Sequence, residues 1–234
     1  MCIEEKLIAV RKRIKKAALS NKRNLSDIEL VAVSKRFGPE FIIRALNHGQ
    51  KIFGENYVQE GVKKIETVNN YLTKIRSSIL PKWHFIGPLQ SNKAKLVASH
   101  FDWVHTVDRI KIVEKLSSAR ENAKGPLNVC IQINTSGEKT KHGISLSEAP
   151  SLVSNICDLP KIKLRGFMTL PSPNTTEDSL RKEYRQLLEL KNKLNTDGYF
   201  LDTLSMGMSR DLEIAISEGS TIVRVGTAVF GERI

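Results

Sequence analysis

The feature that most constrains the fold is a rhythm. Eight short apolar runs, each followed by a longer amphipathic stretch, extend along the whole 234-residue chain. The runs lie at 29–34, 51–54, 82–86, 103–107, 127–134, 163–168, 203–206 and 221–225. Several are rich in Val and Ile and continuously apolar, as strands buried on both faces should be. Between them the spacing predicts helices over 39–48, 56–69, 91–99, 109–123, 145–158, 176–194 and 209–217. Gly49 stops the first of these, and Ser145 and Glu148 have the spacing of a capping box. Eight strands alternating with helices predict an α/β fold, a (β/α)8 TIM barrel. The competing arrangement is an open doubly wound sheet, but no G-x-G-x-x-G follows any strand. No Pro/Gly/Ser-rich linker divides the chain, so residues 1–234 read as one domain.

An extra N-terminal helix precedes the first strand and is expected to close one end of the barrel. Leu7, Val10, Ile14, Ala17 and Ala18 recur at helical spacing, which leaves the basic residues on the other face. The net charge is +12, and residues 1–23 hold eight basic side chains against only Glu4 and Glu5. A polyanion site could use that surplus, but a solvated helix face accounts for it, and nucleic acid is not expected as a partner. No apolar run of about 18 residues or more suggests a membrane span. The first residues do not read as a signal peptide, so a cytoplasmic protein is expected. Cys2, Cys130 and Cys157 show no metal-like spacing, and no metal is expected. Cys130 and Cys157 lie in apolar runs and should pack as small hydrophobes.

A barrel of this kind builds its site where the C-terminal ends of the strands meet. Lys35 follows the run ELVAVS, and its ammonium could point into a partly enclosed mouth. Desolvation and neighbouring cations lower a lysine's pKa, which leaves some unprotonated amine for reaction with an aldehyde. A lysine merely leaving the strand for solvent would look the same. Ser205–Ser209 and Gly226-Thr227 are small, donor-rich turns after the last two strands, where such barrels often hold phosphate. Ser209 is expected to begin a short helix whose N-terminus favours an anion. Arg224 lies inside a strand, where it must face either an acid or a ligand.

Six blocks together make a more specific pattern. AVSK at 32–35, FGENYVQE at 53–60, WHFIGPLQSNK at 83–93, RGFMTL at 165–170, LSMGMSRD at 204–211 and RVGTAVFGER at 224–233 resemble the YggS/PROSC family in order and spacing. The resemblance implies a barrel like the N-terminal domain of alanine racemase that binds pyridoxal 5′-phosphate. It implies that Lys35 is the Schiff-base lysine, that Ser209, Gly226 and Thr227 hold the phosphate, that Arg224 sits by the pyridine nitrogen, and that Asn56 lines the pocket. It further implies a role in vitamin B6 homeostasis, with B6-dependent apo-enzymes as recipients.

The expected function is therefore a non-catalytic carrier of pyridoxal phosphate, monomeric, with no established catalytic residue. The alternative is a pyridoxal-phosphate-dependent amino-acid racemase of weak activity. Racemisation needs acid/base groups on both faces of the cofactor. Alanine racemases take the second, a tyrosine, from a further domain. This chain stops nine residues past its last strand, so that domain is expected to be missing. His84 and Tyr57 are the candidates for a second base within the barrel.

Overall fold

A computed structural model describes residues 2–138, 141–172 and 175–232. Eight parallel strands close into a barrel in chain order. They are β1 (Glu29–Val33), β2 (Ile52–Glu55), β3 (Lys82–Phe85), β4 (Trp103–Val107), β5 (Leu127–Ile133), β6 (Ile162–Thr169), β7 (Thr203–Ser205) and β8 (Ile222–Val225). Closure comes from β8 pairing β1, with Glu29 opposite Ile222 and Ala32 opposite Val225. Every residue of β4 and β8 is buried, as the continuous apolar runs require.

The outer ring is α2 (Pro39–Asn47), α3 (Val58–Lys74), α4 (Ala94–His100), α5 (Ile110–Ala119), α6 (Ala149–Cys157), α7 (Glu177–Thr196) and α8 (Leu212–Ser217), with the four-residue α9 (Thr227–Phe230) after β8. One turn of helix cannot cover the β8–β1 seam. The N-terminal helix α1 (Ile3–Ser20) takes that place, packing on α2, α8 and α9. It therefore lies on the side of the barrel and does not close an end. Its buried residues are Leu7, Val10, Ile14, Ala17 and Ala18, the apolar face that the spacing predicted.

Three local departures follow from polar chemistry. Helix α3 starts at Val58, because Tyr57 is extended and leaves Asn56 outside the helix. Ser145 and Glu148 do form the reciprocal capping bonds, yet the regular helix begins only at Ala149, with Pro150 in its first turn. Helix α5 ends at Ala119, and the Arg120 guanidinium then clips the carbonyls of Ala98, Phe101, Gly125 and Lys124.

Cys130 is buried as expected, whereas Cys157, the last residue of α6, is exposed. A helix's final turn faces solvent on its outer side, which a one-dimensional apolar run does not reveal. The main core lies between strands and helices. A smaller cluster of Val31, Trp103, Cys130, Met168 and Ile222, drawn from five strands, fills the barrel interior.

Candidate functional site

Strand geometry brings six residues from four parts of the chain to one place. A cavity of about 600 Å³ opens at the C-terminal mouth of the barrel, and Lys35, Asn56, Ser209, Arg224, Gly226 and Thr227 all line it. That volume suits a small-molecule ligand. A larger hollow of about 850 Å³ sits at the opposite end. Its three arginines are already committed: Arg165 binds Asp202 and Asn128, and Arg23 and Arg120 bind backbone carbonyls. In barrels that end serves stability.

Lys35 stands on a turn two residues past β1 and is half-buried. The buried part of Asn56 includes its Oδ1, which has no hydrogen-bond partner. A buried acceptor without a donor costs about 1–3 kcal/mol. Here it borders the cavity, where a ligand donor would satisfy it.

Ser209 does not begin a helix. It lies in a turn, and α8 starts at Leu212 behind Asp211. Asp211 holds that turn by accepting the Met208 N–H at 2.7 Å and the Tyr184 hydroxyl. Gly207, at φ +95°, sets the turn's direction, and a Cβ there would meet the Ala215 side chain at 2.4 Å. The helix start at this end of the cavity belongs instead to Gly226 and Thr227, the cap and first residue of α9. Arg233, at the end of the RVGTAVFGER block, lies outside the described residues.

Arg224 faces the cavity and not an acid. It is 4% exposed. Its Nη1 donates to Ser205 Oγ at 2.6 Å and its Nη2 to the Thr169 carbonyl at 2.9 Å. No ion pair among the described residues includes it. Two histidines continue the chain: Ser205 Oγ is 2.8 Å from His105 Nδ1, and His105 Nε2 is 2.9 Å from His84 Nδ1. Arginine only donates, so the Ser205 hydroxyl accepts from it. With that hydroxyl's own proton directed at His105 Nδ1, the proton of each imidazole falls on Nε2, an assignment made from the network.

Burial holds His105 well below the usual histidine range and lowers His84 to about 3. Both rings are therefore neutral spacers that fix the plane of the guanidinium. The folded-state values are depressed, so unfolding takes up protons in acid. Stability should fall as pH drops from the ordinary value of 6.5 toward about 3, by up to ~1.4 kcal/mol per pH unit for each histidine. Thermal melting across that range, with His84→Gln as the comparison of smaller slope, checks this.

Neither His84 nor Tyr57 lines the cavity. His84 is fully buried and stacked on Trp103 with ring centroids 5.1 Å apart, while Tyr57 is 47% exposed beside Arg36. The acids that do line it, Glu177 and Asp211, went unread in the sequence. So did His105 and the buried Glu55 and Lys64. The available signal was polarity at inward-facing strand positions, as with His105 two residues after Trp103 in WVHTV.

Comparison with known proteins now bears on this site. A family model described as alanine racemase, N-terminal domain, matches residues 9–234. A Vibrio cholerae serotype O1 protein named pyridoxal phosphate homeostasis protein is 46% identical over 231 residues, covering 99% of this chain and 96% of that one. The chain belongs to the YggS/PROSC family. PipY of Synechococcus elongatus, a structural neighbour with PLP bound, superimposes with a TM-score of 0.82 at 30% identity, over 98% of this chain and 100% of PipY. Outside the YggS/PROSC family, Clostridium difficile 630 alanine racemase shares the fold alone. It is 14% identical with a TM-score of 0.73, and this chain, 98% covered, spans 56% of it.

Proposed function

We propose that this chain binds pyridoxal 5′-phosphate in the barrel mouth as a Schiff base on Lys35 and serves intracellular vitamin B6 homeostasis without catalysing a reaction of its own. One observation carries the reading. An amine, two donor-rich turns, a buried guanidinium and a partnerless amide oxygen converge on a single cavity. Each residue type suits one part of the molecule. The relatives named for pyridoxal phosphate homeostasis, and PipY with its PLP, support the choice of ligand.

When bound, pyridoxal phosphate supplies an aldehyde and an electron-withdrawing ring, and Lys35 supplies the amine that retains it. Ser209, Gly226 and Thr227 would hold the phosphate through hydroxyls and through first-turn N–H groups, which have no acceptor within α9. Arg224, a permanent donor held by Ser205 and Thr169, would face the ring nitrogen and keep it unprotonated, which weakens the ring as an electron sink. Asn56 would accept from a ring substituent.

The carrier reading rests on proton geometry. Lys35 can serve one side of a bound substrate, but neither His84 nor Tyr57 reaches the cavity to serve the other. We further propose that the chain acts as a single-domain monomer in the cytoplasm and yields its cofactor to B6-dependent apo-enzymes. Among the described residues, no helix is long and apolar enough to cross a membrane.

Chiral analysis of amino acids incubated with the holo-protein tests the function, beside a Lys35→Ala control. No lysine-dependent interconversion is expected. Turnover near the ~10 s⁻¹ typical of enzymes would establish the racemase. The phosphate assignment has its own test. Thr227→Val removes one donor to a charged oxygen, worth about 1.5–3 kcal/mol. Affinity for pyridoxal phosphate should fall about tenfold or more, and affinity for pyridoxal should change little. Equal losses would place the phosphate elsewhere.

A further inference from the structure

Lys35 sits on a tight turn held by groups that no cavity contact explains. The Phe37 N–H donates to the Ser34 carbonyl at 3.1 Å and closes the turn. Arg36 has φ +66°, a left-handed conformation that a residue with a Cβ keeps only when its surroundings enforce it. The enforcement comes from β2 and α3. On one side of Lys35, the Ser34 N–H donates to the Gly54 carbonyl at 3.0 Å, and its hydroxyl donates to Glu55 Oε1 at 2.6 Å. The Ser34 carbonyl accepts Lys64 Nζ at 2.7 Å. On the other side, the Arg36 N–H donates to Glu60 Oε1 at 2.5 Å.

The three charged residues are tied together. Lys64 Nζ lies 2.9 and 3.1 Å from the Glu55 carboxylate and 2.5 Å from Glu60 Oε1. Glu55 is fully buried and Lys64 is 6% exposed. Apolar residues of similar volume would often stabilise such a site as well or better. What they could not supply is a set of directional bonds to both peptides flanking Lys35.

We propose that Glu55, Glu60 and Lys64 are positioning residues that fix the direction in which the Lys35 side chain leaves β1, so that its amine meets the aldehyde in the mouth. The inference rests on the reading of Lys35 as the cofactor lysine. A merely structural clamp would hold the fold and affect every ligand alike. A positioning clamp acts on capture of the aldehyde and leaves the phosphate and ring contacts intact.

The test compares two probes. Pyridoxal phosphate with borohydride reports capture at Lys35, and pyridoxine 5′-phosphate, which has no aldehyde, reports non-covalent binding. Glu60→Ala removes the acceptor of the Arg36 N–H while Glu55 still pairs Lys64, and the Glu60 side chain is 29% exposed, so no buried charge is stranded. At subsaturating pyridoxal phosphate, capture at Lys35 should fall about tenfold, the loss typical of one hydrogen bond to a charged group. Affinity for pyridoxine phosphate should stay at the wild-type level. Glu60→Gln restores an acceptor and should recover most of the capture. Glu60→Asp shortens the reach while keeping the charge, and should lie between the two, so the comparison holds even where alanine prevents folding. Undiminished capture in Glu60→Ala and Glu60→Asp, or equal losses for both probes, would overturn the proposal. A wild-type protein that captures nothing at Lys35 would instead overturn the reading on which it rests, and that control separates the two failures.

Discussion

Alanine at position 35 should abolish covalent retention of pyridoxal phosphate while leaving the barrel folded. The Lys35 amine is the one group of the proposed site that can form an imine with an aldehyde. The part of the cavity wall formed by Ser209, Gly226 and Thr227 does not depend on it. Spectrophotometric titration of Lys35→Ala should therefore show no imine band at any concentration. Pyridoxine phosphate, which reads the phosphate and ring contacts alone, should bind about as it does to the wild type. Because Lys35 is half-buried on a turn and not part of the core, the melting temperature should change little, within ~1 kcal/mol of stability. An imine band persisting in this variant would show that another lysine does the work.

The largest effect on stability is expected at Lys64. Methionine there fills a similar volume but leaves the fully buried Glu55 carboxylate without its cation. Breaking a buried pair from one side costs about 3–5 kcal/mol. For a chain of this size that lowers the melting temperature by on the order of 10 °C. The loss should also depend on pH. Burial already raises the Glu55 pKa, and Lys64 is the main influence holding it down. Without Lys64 the folded-state value rises further above the unfolded one. The variant's stability is then greatest below the unfolded carboxylate value and is lost as pH rises through the folded one. The gap to the wild type should narrow as pH falls from neutral toward the carboxylate range. A second change, Glu55→Gln, should recover much of the loss at neutral pH. A Lys64→Met protein melting within 2 or 3 °C of the wild type, about what ~1 kcal/mol produces, would mean that the pair is not desolvated.

Much of this architecture is legible in the sequence. Each strand of the barrel lies within one residue of the apolar run that predicts it, because a strand buried on both faces leaves a continuous signal. The grouping of the cavity-lining residues was legible for a related reason: strand ends in such a barrel share one mouth, so Lys35 could be grouped with Arg224 and Thr227 although nearly the whole chain separates it from them. Two kinds of information were not on the surface of the sequence. One is where helices stop and start. Asn56 looked like the first residue of α3, but it lies in a bend and the extended Tyr57 separates it from that helix. Ser209 looked like a helix start, but Asp211 and Gly207 build a turn around it. The other is pairing across the barrel. His84 and His105 are 21 positions apart, and His105 and Ser205 are 100 apart. Pairing of β3 with β4 sets the two histidines side by side, and the curl of the sheet into a barrel brings His105 to Ser205; nothing in a strand reading says that two histidines support Arg224. Alpha-helical periodicity likewise identified the buried face of α1 but not the seam it covers, since that depends on how short α9 is.

The proposed function turns on this barrel holding pyridoxal phosphate through Lys35. The measurement that meets it most directly is borohydride reduction of the protein loaded with pyridoxal phosphate, followed by peptide mapping by mass spectrometry. The expected result is one stoichiometric phosphopyridoxyl adduct, on the peptide that contains Lys35. An unlabelled Lys35 peptide, with the adduct elsewhere or absent, would contradict it.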